Sequence, residues 1–489
     1  MPPGNDSLAA GASTGTGESY DAADAREGHR SLVSVGPASV VAVVLWVSTV
    51  AGRYTFGTGL PGWATVILVV AAWCVHVARP ARSAHVALTM LICAGLGGGA
   101  REWSAAQVPT GPCGGEVRVV TDPLTRTGFA SLVVRNGTHR VRATGNGAVA
   151  AAMSMMRAGE RVLLDGTCMP VPAALRSREL VAHVTGRMSV TAVVGRVSDG
   201  GGPWRAANRV RALVSQGVGR MSGDDRALFL GLVMGDDSGQ SRSTVDDFRR
   251  SGLSHLCSAS GQNVAYLMAA AGPLLRRLSP GARLAASLGV IVMFVFLTRG
   301  EPSVLRAAAM AAVAALNLHA GRPSNGRAVL AAAVTALLVV DPMLAFSVGF
   351  MLSAGATAGL AWLSHPLSRR LGVPSVLAAT LAAQLGTLPV ALAVFGRVPF
   401  VSVLANPLAV PVAGVVMLAG LPAAAVAAVM PGSVGQVICA VLTVPVRFVA
   451  AVASTCAALD PQGSAAVLAW GVLSAAAAVR WRRRTHVGR

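Results

Sequence analysis

Apolar stretches close to the length of a membrane helix recur along this chain, and they restrict its fold more than any other feature. A helix needs about 20 apolar residues to cross about 30 Å of hydrocarbon. Of the 489 residues, 53% are hydrophobic and only 13% are charged. The sequence therefore predicts a polytopic α-helical membrane protein with about 12 membrane segments. They are expected near 36–51, 61–78, 84–100, 263–275, 284–298, 303–320, 327–340, 344–363, 375–395, 402–430, 436–458 and 464–480.

The segment at 402–430 is unusual because it contains Pro407, Pro411 and Pro422. Proline inside a helix removes a backbone hydrogen bond and favours a kink or a break. A single span, a broken helix and two short re-entrant helices are all compatible with this pattern.

The absence of lysine excludes two classes of enzyme. All 41 cationic side chains are arginine, and the formal net charge is +20. A Walker A loop and a pyridoxal Schiff base both need a lysine, so the sequence encodes neither a P-loop ATPase nor a pyridoxal enzyme. The nine histidines lack zinc-ligand spacing, and the His-x-His-x-Asp-His pattern of metallo-β-lactamase-type hydrolases is missing. We expect no metal, no cofactor and no enzymatic activity.

The two ends of the chain and the short links predict its orientation. Residues 1–34 are rich in Gly, Ser, Thr and Asp, which is typical of a disordered tail, and they lack the pattern of a secretory signal. The link between the second and third segments carries Arg79 and Arg82, whereas the first link carries only Arg53. The positive-inside tendency then predicts a multi-pass protein of the cell (inner or plasma) membrane with both termini cytoplasmic, including a basic tail at 482–489.

Three helices within 35–110 lead to a region with a different pattern, at 111–200. Short alternating runs there are broken by Gly, Pro and Asn, and Asn136-Gly137 favours a hairpin turn. We interpret this region as an extracytoplasmic OB-like β-barrel domain. Strands are expected at Glu116–Val120, Ala130–Arg135, Arg140–Ala143, Arg161–Leu164, Leu180–Val184 and Ser189–Val194.

Cysteines and arginines give this domain two further predictions. Cys113 and Cys168 lie on the oxidising side of the membrane and are candidates for a disulfide, with two buried thiols as the alternative. A moderately basic OB-like surface is a candidate for binding a nucleic-acid backbone, and Phe129 is the main aromatic platform. The arginines proposed to bind DNA are Arg118, Arg126, Arg135, Arg140 and Arg142.

Residues 201–251 are predicted to form amphipathic and surface helices. One of them places Trp204 on an apolar face, which suits a helix on the membrane surface or one packed on the barrel. Ser243 and Asp246 resemble a capping box, and Gly252 occupies the position after a helix that favours glycine. Paired acids fit a divalent-ion site or, as we favour, helix N-terminal charges. These pairs are Asp224-Asp225, Asp236-Asp237 and Asp246-Asp247.

A polar stretch from Gly252 to Val264 begins the membrane bundle expected over 252–481. In hydrocarbon such a break is tolerated only where it is buried in protein or lines a wet cavity. It marks either a translocation path or a loop that caps the next helix through Ser260 or Asn263. Four later polar clusters are interpreted as further parts of this path. The alternative is that they form an interfacial ion pair and hydrogen bonds between helices. They lie at Arg299–Arg306, Ser347–Ser353, Gln384–Pro389 and Asn406-Pro407.

Ordered motifs run through the second half of the chain. They comprise Gly235-Asp236, Phe248, Gly252-Leu253-Ser254-His255-Leu256, Ser260-Gly261, Glu301-Pro302-Ser303-Val304-Leu305-Arg306-Ala307, Asp341-Pro342, Gly349-Phe350-Met351-Leu352-Ser353, Gln384 with Leu388-Pro389, and Ala405-Asn406-Pro407 with Val410-Pro411. Together they resemble the ComEC competence family, the inner-membrane channel for DNA uptake in natural transformation. The residues that we assign to the family motif or the path are Asp236, Phe248, Gly252, Ser254, His255, Ser260, Gly261, Gln262, Asn263, Glu301, Arg306, Gln384 and Asn406.

Two features differ from the family pattern. Many members read Ser-Gly-Leu-His-Val where this chain has Ser260-Gly261-Gln262-Asn263-Val264, so roles of that second histidine do not carry over. Many members also continue into a metallo-β-lactamase-like domain, whereas this sequence ends after its last predicted helix. We therefore expect a nuclease, if one takes part, to be a separate protein.

The resemblance implies a channel that passes single-stranded DNA into the cytoplasm. The expected partners are single-stranded DNA, membrane lipid, an extracytoplasmic DNA receptor, and a cytosolic ATP-driven motor or single-strand-binding protein. Two alternative functions are also compatible with apolar segments that are interrupted by polar residues. One is a transporter or flippase of another anionic or lipid-linked solute. The other, less favoured, is an intramembrane hydrolase that uses Ser254 or Ser260 with His255.

Overall fold

The computed structural model describes residues 37–57, 108, 110–257, 261–323 and 325–461, with parts of 468–479. Several sequence predictions lie outside the described residues. They are the tails at 1–34 and 482–489, the membrane segments at 61–78 and 84–100, most of the segment at 464–480, and the site residue Ser260.

The region after the first helices is a small β-sheet domain of six strands. They are β1 (Gly111–Val119), β2 (Leu124–Arg126), β3 (Phe129–Asn136), β4 (His139–Asn146), β5 (Arg161–Pro170) and β6 (Val184–Ser198). The strand order is β1-β5-β6-β4-β3-β2, and β1 also pairs with β3. All pairs are antiparallel except β4 with β6. The predicted hairpin is confirmed, since Asn136 pairs with His139 and Gly137 has φ +57°.

One face of this sheet forms the core of the domain. Alternate residues of the strands, such as Val117, Leu164 and Met188, are fully buried, and helix α2 (Gly147–Ser154) adds Met153. A disulfide between Cys113 and Cys168 links β1 to β5, and it joins the two cysteines that the sequence analysis paired. The alternation of apolar and polar residues is clear in β1 and β5, whereas residues 130–134 of β3 are all buried and Val133 packs with Val171 and Val184 in a second, smaller cluster.

The strand predicted at Leu180–Val184 is wrong. Helix α3 (Ala173–Val181) covers its first two residues, a turn follows at 182–183, and β6 begins only at Val184. The segment is rich in Ala, Leu, Arg and Glu, which are good helix formers. Glu179 of this helix accepts two hydrogen bonds from Arg142 at 2.7 Å, which fixes the helix on β4.

The rest of the described chain is helical. Helix α1 (Pro37–Gly57) precedes the β domain, and α4 (Gly202–Gly217), α5 (Gly223–Met234), α6 (Arg242–Ser251) and α7 (Ser254–Cys257) follow it. The bundle then contains α8 (Gly261–Leu275), α9 (Pro280–Leu297), α10 (Pro302–His319), α11 (Gly326–Val340), a 3-10 helix (Pro342–Phe346), α12 (Val348–Leu371), α13 (Ser375–Phe395), α14 (Ser402–Val429) and α15 (Gly432–Leu459). Among the described helices, α9, α13, α14 and α15 are long and apolar enough to cross a membrane. The total of about 12 segments stays a prediction.

Helix α14 is continuous from Ser402 to Val429 and includes all three of its prolines. Of the three alternatives for this segment, the structure therefore shows the single helix. Ala409, Ala413 and Ala424 are fully buried on its packed face, so close contact with neighbouring helices compensates for the missing hydrogen bonds.

The caps of helix α6 correct one prediction and confirm another. Its N-cap is Ser241, whose Oγ accepts a hydrogen bond from the Thr244 N–H at 3.2 Å, so the capping box predicted at Ser243 is wrong. The first good acceptor before the helix is two residues earlier than the pattern indicated. Gly252 ends the helix in the left-handed conformation (φ +76°), as predicted.

Glycines set the distance between helices α12 and α13. A Cβ placed on Gly359 would collide with the Ala382 carbonyl, and one on Gly386 would collide with the Gly355 carbonyl. The two backbones are therefore in direct contact, which side chains larger than hydrogen prevent.

This contact predicts different effects of alanine at two glycines of helix α12. Gly359→Ala inserts a methyl group against a backbone carbonyl and is expected to cost about 1–3 kcal/mol through overpacking. Gly349→Ala is the matched control, because the nearest atom to its Cβ lies 4.0 Å away. Thermal unfolding of the purified protein in detergent measures both. Equal unfolding temperatures for the two variants would contradict the packing described here.

Candidate functional site

Five helices of the bundle form a closed ring. Helix α8 packs on α10, α10 on α12, α12 on α13, α13 on α14, and α14 packs back on α8. We call this arrangement the five-helix ring. Each of its helices carries at least one residue of the polar motifs, namely Gly261, Arg306, Ser353, Gln384 and Asn406. The ring therefore brings together motifs that are far apart in the sequence.

Arg306 places a buried charge in this ring. Its side chain is 6% exposed, although α10 is otherwise mostly apolar. Nε donates to Ser353 Oγ at 2.8 Å, and Nη1 lies 2.9 Å from Met310 Sδ. Among the described residues no carboxylate forms an ion pair with Arg306, and its two partners, Ser353 and Met310, are neutral. A guanidinium without a counter-charge is costly to bury.

Gly261 lies next to Nη2 of Arg306, where a larger side chain would collide with the guanidinium. A Cβ at Gly261 would lie 2.7 Å from Nη2 and 3.1 Å from Ala307 Cβ. Helix α8 can therefore approach α10 only with glycine at this position. Nη2 makes no hydrogen bond with a described residue.

A second polar cluster lies where α13 meets the start of α14. Gln384 Nε2 donates to Ser402 Oγ, and Ser402 Oγ donates to the Pro399 carbonyl at 2.6 Å. Gly252 lies against Ser402, because a Cβ there would be 2.6 Å from Ser402 Cβ. Gln384 Oε1 and Asn406 Oδ1 are buried without a hydrogen-bond partner among the described residues. Each unpaired buried acceptor costs about 1–3 kcal/mol, so these amides are not explained by packing alone.

Four other predicted path residues keep exposed side chains. They are Ser254, His255, Gln262 and Glu301. The neighbours Leu253 and Leu256 are fully buried in the main core, so the exposure of Ser254 and His255 between them is local.

Two further predicted path residues are buried. Phe248 is 1% exposed and belongs to the hydrophobic core. Asn263 is 4% exposed, and its Nδ2 donates to the Leu232 carbonyl at 3.2 Å. Both side chains therefore contribute to packing or hydrogen bonding between helices in this structure.

Asp236, the remaining motif residue, belongs to a junction between the β domain and the helices. Arg211 of α4 donates from Nη2 to Asp236 Oδ2 at 2.7 Å and lies 3.4 Å from Asp122 Oδ2. Arg299, which has φ +62°, donates from Nε to Asp122 Oδ2 at 2.8 Å. We call Asp122, Arg211, Asp236 and Arg299 the junction cluster. Sequence analysis missed Asp122, because no pattern marks a single acid in a loop after a strand.

The charges of this cluster change the acidity of Asp122. Burial raises the pKa of its carboxyl group, but the charges of Arg299 and Arg211, with hydrogen bonds from the Arg299 side chain and the Ala158 N–H, outweigh that effect. The pKa of Asp122 is therefore held below its ordinary value of 3.8. The carboxylate is ionised at neutral pH and bridges two arginines.

Trp204 and Asn208 of α4 complete the contact between the domains. The Trp204 ring packs on Gly159 and on the edge of Phe296, with ring centroids 5.0 Å apart. Asn208 accepts from Arg299 at 2.8 Å and donates to the Ala158 carbonyl at 3.1 Å. Trp204 thus packs on the β domain, which was one of its two predicted positions. A separate contact joins His183 Nε2 to Asp341 Oδ2 at 2.9 Å.

The arginines proposed to bind DNA occupy different surroundings. Arg142 is paired with Glu179, and the Arg118 guanidinium lies 5.7 Å from the centre of the Trp204 ring. Arg126 and Phe129 are cross-strand partners at one end of β3. Arg135 and Arg140 pair with each other at the opposite end of that strand. The six residues therefore do not form one patch.

Among the described residues, no group of three or more His, Cys, Asp or Glu side chains is placed to hold a metal ion. Two of the acids that raised this alternative, Asp225 and Asp236, serve other contacts. Asp225, for example, accepts hydrogen bonds from Ser222 at 2.6 Å and from Arg447 at 3.0 Å.

Comparison with known protein families gives a match over residues 232–484, to the family described as competence protein. The chain belongs to this competence protein family. All five helices of the ring lie inside the matched segment, whereas the β domain precedes it. Together with its long apolar helices, this membership identifies a membrane protein.

Two curated proteins are similar to parts of this competence family chain. The uncharacterized protein YcaI of Escherichia coli (strain K12) is 28% identical over 204 residues, which is 38% of this chain and 27% of YcaI. The ComE operon protein 3 of Bacillus subtilis (strain 168) is 27% identical over 247 residues, which is 49% of this chain and 32% of that protein. The chain thus spans less than a third of either relative's length. No solved structure matches it.

The junction cluster predicts a loss of stability when Asp122 is neutralised. Asp122→Asn leaves Arg299 and Arg211 without their shared carboxylate, and we expect a cost of about 1–3 kcal/mol, since the group is partly buried and hydrogen-bonded. Asp199→Asn is the control, because Asp199 pairs with Arg196 on the exposed surface, where an ion pair contributes little. Thermal unfolding and limited proteolysis between the β domain and the bundle are the measurements. Equal behaviour of the two variants would show that the cluster does not hold the domains together.

The lowered pKa of Asp122 also gives the junction a defined pH dependence. A carboxylate whose pKa falls on folding stabilises the folded state above its unfolded value of 3.8, and this contribution is lost as the pH falls through the lower folded value. Proteolysis with an acid-active protease should therefore show no change attributable to Asp122 between pH 7 and about pH 4. Below that range the native protein should lose its advantage over Asp122→Asn. An advantage that disappears already near pH 6 would assign the effect to another group.

Proposed function

We propose that this protein passes single-stranded DNA through the cell membrane into the cytoplasm, as part of DNA uptake by competent cells. The observation that carries this proposal is the buried charge of Arg306 in a ring built from the motif residues of the family. Membership of the competence family and similarity to ComE operon protein 3 support it.

The chemistry of the ring favours an anionic substrate. Arg306 has only neutral partners among the described residues, and its Nη2 faces the start of helix α8. A phosphate group supplies the missing negative charge and oxygen acceptors for that nitrogen. Gln384 and Asn406 add polar groups on the far side of the ring, where the bases and sugars of a strand need hydrogen-bonding partners.

The ring is closed in this structure. Arg306 and Ser402 are almost fully buried, so a strand enters only when the helices that hold them separate. Among the described residues, one side-chain hydrogen bond joins each of two packed helix pairs, Arg306–Ser353 between α10 and α12 and Gln384–Ser402 between α13 and α14. A substrate that pairs with Arg306 and Gln384 replaces these bonds, and this lowers the cost of opening.

The β domain is proposed to receive the strand outside the cell as an OB-like barrel. The pairing of β1 with β3, the parallel pair β4 and β6, and helix α2 between β4 and β5 support this assignment. We retain about 12 membrane segments and two cytoplasmic termini as parts of the proposal. Three segments before an outside β domain place the amino terminus in the cytoplasm, and nine segments after it place the carboxyl terminus there.

The work of import is assigned to partners. Moving each phosphate charge inward against about 100 mV costs about 2.3 kcal/mol, and the sequence contains no Walker A loop. We propose a cytosolic ATP-driven motor or single-strand-binding protein, an extracytoplasmic DNA receptor and a separate nuclease, with the chain itself acting as the conduit and not as an enzyme.

Arg306 provides the decisive test. In a transformable host that lacks its own homologue and is complemented by this chain, Arg306→Gln should lower internalised labelled DNA at least about tenfold, because a charged hydrogen bond contributes about 1.5–3 kcal/mol. Surface-bound DNA should not change. Arg327→Gln is the matched control, since Arg327 is also in the bundle but stacks on Trp362 at 5.5 Å.

The amount of each variant in the membrane is measured in parallel, so that loss of folding is recognised. Normal import by a well-folded Arg306→Gln protein would refute the phosphate role. Import of short anionic solutes with no dependence on strand length would favour the transporter alternative.

A further inference from the structure

Four arginines stand side by side across the outer face of the β domain. Arg118 of β1 pairs with Arg161 of β5 on one side and with Arg135 of β3 on the other. Arg135 in turn pairs with Arg140 of β4. One arginine from each of four adjacent strands is therefore in register, in the order Arg161, Arg118, Arg135 and Arg140. We call this set the arginine row.

The row lies on the solvated side of the sheet. Arg161, Arg118 and Arg135 are exposed and Arg140 is half-buried, while the neighbours Val117, Val119 and Val134 point into the core. Adjacent strands are about 4.8 Å apart, so the four positions span about 14 Å. Like charges directly opposite each other destabilise a sheet, so the folded domain alone gains nothing from this arrangement.

Nearby acids offset little of the charge on the three exposed members. Arg161 pairs with Glu116 at 2.9 Å, and both side chains are exposed. Arg135 forms no ion pair within the described part of the chain. Arg142, two residues beyond Arg140 on the same strand, is neutralised by Glu179 and does not extend the row.

One member of the row lies next to the junction with the bundle. The Arg118 guanidinium is 5.7 Å from the centre of the Trp204 ring, and the Arg299 guanidinium is 5.6 Å from the same ring. Arg299 is followed within a few residues by Glu301 and Arg306. The row is thus connected to the bundle through α4 and the link that begins α10.

We propose that the arginine row binds the phosphates of one DNA strand and directs that strand towards the five-helix ring. This inference rests on the proposed function and adds the contact that precedes the ring. Its length of about 14 Å corresponds to about four internucleotide steps, or about five phosphates, at about 3.4 Å per nucleotide of a stacked strand. The arrangement assigns a role to Arg161, which the sequence pattern did not indicate, and removes Arg142.

A linear polyanion fits the row better than a lipid surface does. The row presents one cation per strand along a single line, as successive phosphates do. A leaflet of anionic headgroups calls for a two-dimensional patch, whereas the row is a single line of cations.

The test uses the full-length protein in nanodiscs of neutral lipid, with a fluorescent oligothymidine of about 20 nucleotides as the probe, long enough to cover the row. Anisotropy titrations at several salt concentrations give the slope of log affinity against log salt. For single strands the slope should become less steep by about 0.7 for each phosphate that the protein no longer neutralises. Arg135→Gln should release one phosphate, and Arg135→Gln combined with Arg161→Gln should release two.

Arg178→Gln is the matched control. It removes the same charge from the β domain, but Arg178 is exposed on helix α3 and so lies outside the sheet and its arginine row. Its slope should equal that of the native protein. If Arg178→Gln and Arg135→Gln reduce the slope equally, binding follows net charge only and the row is refuted.

Two further outcomes separate the alternatives. In the first, phosphatidylglycerol co-purifies with the native protein but not with the double variant, and strand binding is unchanged. This result would assign the row to lipid and overturn the inference. Normal strand binding by the row variants while Arg306→Gln still blocks import would refute the row and leave the channel intact. Weakened binding by the row variants while Arg306→Gln imports normally would support the row and refute the ring.

Discussion

The bundle depends on the energetic cost of burying one guanidinium among apolar helices. Arg306 is removed from water and has no counter-charge in the described chain, so its surroundings must reduce the cost in other ways. Ser353 supplies an oxygen and Met310 a polarisable sulfur. Gly261 lets helix α8 come close without covering the last nitrogen. Residues from three helices are therefore constrained by a single charge, and this explains why those motifs meet.

The β domain and the bundle are joined by a second set of charges, and these charges, unlike Arg306, have partners of opposite sign. At the junction, Asp122 is shared by Arg299 and Arg211, and Arg211 also holds Asp236, so every charge is compensated. This cluster fixes the relative position of the two parts. Arg306 and the exposed members of the arginine row are less compensated, so positive charge is available on the surface and inside the ring but not at the junction between them.

The sequence predicted best those features that are set locally. Helix α13 has the bounds expected for it, since Pro374 and Gly396, the latter with φ +69°, mark the two ends of an apolar run. Gly252 was placed correctly for a similar reason. Leu180–Val184 was predicted wrongly because such a short run is compatible with both a strand and a helix. Here the helix is also held by the hydrogen bond from Arg142 of β4 to Glu179 of α3, and the local sequence pattern does not contain this contact. Asp122 and the arginine row depend on register and on contacts between distant segments, which no local pattern contains.

The glycines between α12 and α13 have a consequence for motion. Because the two backbones touch at Gly355, Gly359 and Gly386, these helices shift as one rigid body, and their mutual distance is fixed. Within the ring this body is tied to its neighbours by the Arg306–Ser353 bond on one edge and the Gln384–Ser402 bond on the other. A widening of the ring at either of these two edges therefore breaks the hydrogen bond of a motif side chain there.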